Sequence, residues 1–147
     1  MSARTVSRVG LVILAATGFL LGGWATATPR GFYDDFPGFG RHWVAMDGPY
    51  NEHLMRDFGA LNLALAVVAV CALIWLTRPL VIATALAWIV YAVPHILYHA
   101  THLDHYETGD QIGIIGGLVA APIVAVVLLF TASRLDEDTT APTKPVG

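Results

Sequence analysis

The sequence predicts an all-α fold: an integral membrane four-helix bundle with both termini cytoplasmic. Three observations predict it. Hydrophobic residues make up 56% of the 147-residue chain and charged residues only 13%, too apolar for an ordinary soluble domain of this length. The charges collect at the N-terminus, in two loops and in the tail. They leave four long stretches nearly free of charge, each close to the ~20 residues a helix needs to cross a bilayer. The basic residues also divide by side. Arg4, Arg8, Arg78, Arg134 and Lys144 lie near span ends or in short segments, whereas Arg30, Arg41 and Arg56 sit among eight acids between Asp34 and Asp110. The positive-inside rule puts the first set in the cytoplasm, so the chain reads as a multi-pass protein of the plasma membrane whose main partner is the lipid bilayer.

The first span covers residues 9–27 and carries Gly18 and Gly22, a spacing of small residues that lets another helix approach closely. Arg4 and Arg8 with Ala25-Thr26-Ala27 also match the two ends of a cleavable signal peptide, although the apolar run exceeds the usual ~7–15 residues. Residues 28–57 form an outer loop rich in aromatic side chains, from Phe32 to Tyr50. Aromatics of this kind favour the membrane–water interface. The loop is expected to be ordered, with short interfacial helices covering the mouth of the bundle. Gly48-Pro49 reads as the start of the next helix, with Gly48 as N-cap, and Glu52 falls in the first turn, where it suits the helix dipole.

The second span covers residues 58–76, with Asn62 one turn inside its outer end. Thr77-Arg78-Pro79 is a tight hairpin link. The third span covers residues 80–100, and Pro94 is expected to kink it. The fourth covers residues 111–130, with Gly113, Gly117 and Ala121 as a small-residue stripe. Residues 1–131 thus form one four-span domain, and residues 132–147 are expected to be a disordered cytoplasmic tail.

The chemistry concentrates at the end of the third span, which reads Pro94-His95-Ile96-Leu97-Tyr98-His99-Ala100-Thr101-His102. At about 100° per residue, His95, His99 and His102 share one helical stripe, with Tyr91 below and Tyr106 above. His105 points aside. Ionisable groups near membrane depth are costly and indicate a functional site. His95 lies roughly 22 Å along its helix from Leu80, at the level Asn62 reaches from the opposite direction. All six histidines fall on this outer side.

One reading is a transition-metal site for Zn, Cu or Fe. His95, His99, His102, His53, Asp57 and Glu52 would be its ligands, because imidazoles at i and i+4 can grip one ion. Another is a redox cofactor, haem or quinone, with Asn62, Arg56, Tyr91, Tyr98 and Gln111 as contacts and His53 and His99 as an axial haem pair. A third is a non-catalytic structural or partner-binding subunit, as a homo-oligomer or with another membrane protein. Its histidines would then serve packing or the interface, with Arg56 paired to Asp57 or Asp104. Several classes are excluded. Ser2, Ser7 and Ser133 lie far from every histidine, so no hydrolase triad forms. There is no phosphate loop and no C-x-x-C-H haem motif. No basic patch points to nucleic acid, and the lone Cys71 forbids an intramolecular disulfide.

Two segments, GPYNEHLMRDFGA from Gly48 to Ala60 and PHILYHATHLDH from Pro94 to His105, resemble parts of small uncharacterised bacterial four-span membrane proteins. The layout from Val9 to Phe130 is loosely similar to the DoxX-like superfamily, through span count and the polar group opening the second helix. That resemblance implies a four-helix membrane fold and, for some members, quinone or sulfur redox chemistry. The histidine-rich third helix matches no DoxX-like motif, so no catalytic residue is carried over.

Overall fold

The computed structural model describes residues 2–135. Four helices in it are long and apolar enough to cross a membrane: α1 (Ala3–Ala27), α4 (Glu52–Trp75), α5 (Arg78–Ala100) and α6 (Thr108–Ala132). Between α1 and α4 lies a cap of two short helices, α2 (Pro29–Asp35) and α3 (Trp43–Asp47), joined by an antiparallel pair of two-residue strands, β1 (Pro37–Gly38) and β2 (Arg41–His42). Apart from that strand pair the secondary structure of the described residues is helical.

Local chemistry explains the helix ends. Asn51, not Gly48, caps α4: its Oδ1 accepts from the Leu54 amide at 3.1 Å, as an asparagine N-cap does. Gly48 instead ends α3. The link from α4 to α5 is tight because Leu76 takes a left-handed conformation with φ 44°, and its amide returns to the Ala72 carbonyl at 2.8 Å. Pro79 follows in the first turn of α5, where its missing N–H costs nothing. α5 runs through Pro94 without a break and stops at Thr101. There the threonine hydroxyl donates back to the carbonyls of Tyr98 (2.9 Å) and Leu97 (3.2 Å), a local bond that competes with further helix.

α1 packs along α4 on one side and α6 on the other, and α5 packs along α6. Glycine brings α1 and α4 together. A Cβ on Gly22 would lie 2.7 Å from the Gly59 carbonyl oxygen, and one on Gly59 would lie 2.4 Å from Thr26 Oγ1. Gly113 makes room for a different neighbour, the indole of Trp43, at 2.9 Å from such a Cβ. Of the stripe expected on α6, Gly117 faces open space, while Ala121 packs against the main core.

The main core is aliphatic and lies toward the α4–α5 link, around Leu11, Leu14, Val81, Trp88 and Leu128. A second, aromatic cluster joins the cap to the bundle. Phe32 is its buried centre, set against Trp24, Phe36 and Phe58 at ring distances of 4.8–5.5 Å for its three neighbours. Leu135 is buried in the main core, so the packed body passes the boundary expected at 131. Residues 136–147 of the expected tail lie outside the described residues.

Candidate functional site

The polar side chains of the cap end form a ladder rising out of the bundle. Asn62 on α4 is its lowest rung and is fully buried. Its Nδ2 donates to the Phe58 carbonyl and to Tyr91 Oη on α5, each at 2.9 Å. The pairing joins α4 to α5 at a depth where an unsatisfied amide costs about 1–3 kcal/mol. Tyr91, rather than His95, is therefore the partner of Asn62.

One turn higher, the half-buried His95 ring faces Tyr91 at 5.9 Å and Phe58 at 6.2 Å. His95 and His99 stack at 5.0 Å with an interplanar angle of 24°. Asp47, the last residue of α3, comes down from the cap, near enough for its charge to act on His95, His99 and Tyr106. Three polar atoms of this ladder, Asn62 Oδ1, His99 Nδ1 and Asp47 Oδ1, are buried without a hydrogen-bond partner among the described residues.

A clasp closes the top. Trp43 Nε1 donates to Asp110 Oδ1 at 2.9 Å, and Arg41 pairs with the same carboxylate oxygen. The Tyr106 hydroxyl donates to the Trp43 carbonyl at 2.6 Å. Gln111 Nε2 donates to the carbonyls of Tyr106 (2.9 Å) and Leu103 (3.2 Å), bracing the α5–α6 turn. Burial, then the Asp47 charge and Tyr98, push the Tyr106 phenol up to about 12. Beside the ladder is a cavity of about 410 Å³, bounded by the end of α3, the start of α4 and Tyr98 on α5.

The expected site is thus assembled only in part. His102 leaves the stripe because α5 ends at Ala100. Its ring stacks on Tyr98 at 4.3 Å, with Nδ1 2.8 Å from the Tyr98 carbonyl oxygen. Tyr106 also lies beyond the helix, in the clasp. The charged side chains in the first turns of α4 face solvent. His53 and Asp57 approach at 3.3 Å with side chains 86% and 65% exposed, so His53 does not oppose His99 as an axial haem ligand. Glu52 pairs with Arg56 at 2.8 Å, and Arg56 also donates to the Thr26 carbonyl at 3.1 Å. Asp57 and Asp104 are not its partners. Among the described residues no group of three or more His, Cys, Asp or Glu side chains converges to hold a metal ion.

Trp43 is what the sequence reading missed as a site member. The short apolar run Trp43-Val44-Ala45-Met46 before a single acid is the one local signal that marks it.

No family model, no curated protein and no solved structure matches the chain, so nothing there bears on the DoxX-like resemblance. The fold and ladder define a protein of four membrane-length apolar helices whose polar groups gather under an ordered cap.

Proposed function

We propose that this chain is a multi-pass plasma-membrane protein with both termini cytoplasmic, and that its extracytoplasmic end binds a redox cofactor beside His99. The observation that carries the reading is the pair of buried, unpartnered atoms on facing helices, His99 Nδ1 and Asn62 Oδ1. Native proteins satisfy nearly all such groups, so two of them, about two helical turns apart along the ladder, ask for a ligand with matching polar atoms. The layer between them is built of rings, Phe58, Tyr91 and His95. A flat organic cofactor such as a quinone suits that setting. Zn, Cu or Fe suits it less, because three ligands do not converge. Haem suits it less too, because His53 faces solvent.

The test is organic extraction, elemental analysis and an absorption spectrum on protein prepared without a His-tag. The expected result is a stoichiometric chromophore that His99→Ala removes and His105→Ala retains. Equal retention in both variants would sink the reading. Orientation has its own test. In a Cys71→Ser background, a cysteine at exposed Thr108 should react with an impermeant thiol reagent from outside, and one at Thr77 should not. The reverse pattern would put the ladder in the cytoplasm.

One observation favours the structural or partner-binding reading. Phe39 is 100% exposed at the tip of the β1–β2 turn and holds φ 59°, a conformation uncommon outside glycine. Cofactor-free protein that co-purifies stoichiometrically with a second membrane protein, and loses it on Phe39→Ser, would favour that reading.

A further inference from the structure

We propose that the cavity between α3, the start of α4 and Tyr98 binds a small organic cation bearing an alkylammonium group. The site goes beyond the cofactor reading, because it uses Asp47 and the cap rather than the α4–α5 layer.

Its walls are Tyr33, Tyr50 and Tyr98, with Leu54 and Met55 as an apolar floor and Asp47 as the one ionisable carboxylate. At about 410 Å³ it falls within the usual range for small-ligand pockets, about 300–1,000 Å³. Among the described residues no lysine or arginine lines it. An anion would meet the Asp47 carboxylate with no compensating charge, and a purely apolar ligand would leave that carboxylate without an opposite charge, at a cost that a cation offsets. A cation satisfies both conditions. The aromatic walls strengthen the preference, since tyrosine faces attract cations and cages of such rings hold alkylammonium groups.

Two of these rings already do this within the chain. The Arg30 guanidinium lies 5.0 Å from the Tyr50 centroid and 5.5 Å from that of Tyr33. Arg30 is itself neutralised by Asp34 at 2.7 Å, so its charge does not answer Asp47. The walls are braced as well. Tyr33 and Tyr50 meet edge to face at 5.2 Å, and the Tyr33 hydroxyl donates to the Gly48 carbonyl at 2.7 Å. Tyr98 is backed by His102. The site is therefore shaped before a ligand arrives, which limits the ordering cost of binding.

The experiment is calorimetric titration of the purified full chain with choline chloride and with 3,3-dimethyl-1-butanol, its uncharged isostere. Cofactor content is measured in parallel, so that failure of the cofactor reading leaves this result legible. Saturable choline binding is expected, with the neutral isostere weaker by at least about tenfold. Asp47→Asn should weaken choline by at least about tenfold. Asp35→Asn, an exposed acid outside the cavity, should change nothing. If Asp47→Asn fails to fold, Tyr50 carries the test: Tyr50→Phe should keep the affinity and Tyr50→Leu should lower it severalfold. Equal affinity for the isostere, or unchanged affinity in both Asp47→Asn and Tyr50→Leu, would overturn the proposal. Repeating the titration in nanodiscs separates the sources of the ammonium group. Competition by phosphatidylcholine discs but not phosphatidylglycerol discs assigns it to a lipid headgroup, and no competition assigns it to a free amine.

Discussion

At the end of the bundle where α1 begins and α6 finishes, Ser7 is fully buried and its hydroxyl pairs with that of Thr131 at 2.8 Å. Thr84, also fully buried, donates to the Leu80 carbonyl at 2.7 Å. At the opposite end, under the cap, Asn62, His99, Asp47 and Thr26 each leave a buried atom without a partner among the described residues. The aliphatic half is not perfect, since Trp88 Nε1 in the main core is also unpartnered. The contrast still separates two uses of buried polarity. Hydroxyls that find one another across helices hold a packed interior together. Polar atoms that are collected but not paired carry a desolvation cost, and a site that binds something is where such a cost is recovered.

The largest expected effect tests what holds the cap end in place. Gly59→Val should overpack the α1–α4 crossing, because its Cβ would already collide with Thr26. A loss of about 1–3 kcal/mol is expected, as for added methylenes in a filled core. Gly117→Val, on the open face of α6, should change stability little. Equal thermal shifts in the two variants would break the claim that α1 and α4 are held by close backbone approach.

A smaller effect sharpens the difference between paired and unpaired groups. Ser7→Ala removes a satisfied hydroxyl pair and should cost about 0.5–1.5 kcal/mol. His99→Phe keeps the ring stack on His95 while deleting the orphaned Nδ1, so it should leave stability unchanged or raise it, at the expense of cofactor content. If His99→Phe is the more destabilising of the two, His99 is a packing residue and the contrast between the ends collapses.

The smallest effect concerns the clasp. The Tyr106 phenol is pushed up to about 12 in the fold, against about 10 for an unperturbed tyrosine. A raised folded value favours the protonated form, so the contribution is full below about pH 10 and is lost as pH rises through about 12. An absorbance titration of the tyrosines should show a late-ionising group that Tyr106→Phe removes. Thermal stability of the wild type should fall toward that of Tyr106→Phe over the same interval. A Tyr106 that ionises near the ordinary tyrosine value of about 10 would mean that the cap is not clasped over Trp43.

Much of the scaffold was legible because helix formation and hydropathy are local. The apolar stretches correspond closely to α1, α4, α5 and α6, and Gly18 and Gly22 mark the close face of α1. Depth reasoning put Asn62 at the level of His95, whereas it bonds to Tyr91, one turn lower on α5. The errors cluster at helix ends. His102 was assigned to a stripe that stops two residues before it, because the Thr101 hydroxyl takes the last carbonyls of α5. Gly48 was assigned a cap that Asn51 makes.

The sequence by itself determined four helices of membrane length, the tight α4–α5 link and the gathering of histidines at one end. Each follows from composition, or from interactions spanning about four residues. Only the tertiary structure decided which of those polar groups meet. Trp43 finds Asp110 across 67 positions, and Tyr106 finds the Trp43 carbonyl across 63. Asp47 reaches the His99 layer only because α2 and α3 fold back over the bundle. Such pairings depend on how the cap seats on the aromatic cluster around Phe32. That seating is set by the packing of rings from α1, α2 and α4 at once, and no single stretch of the chain encodes it.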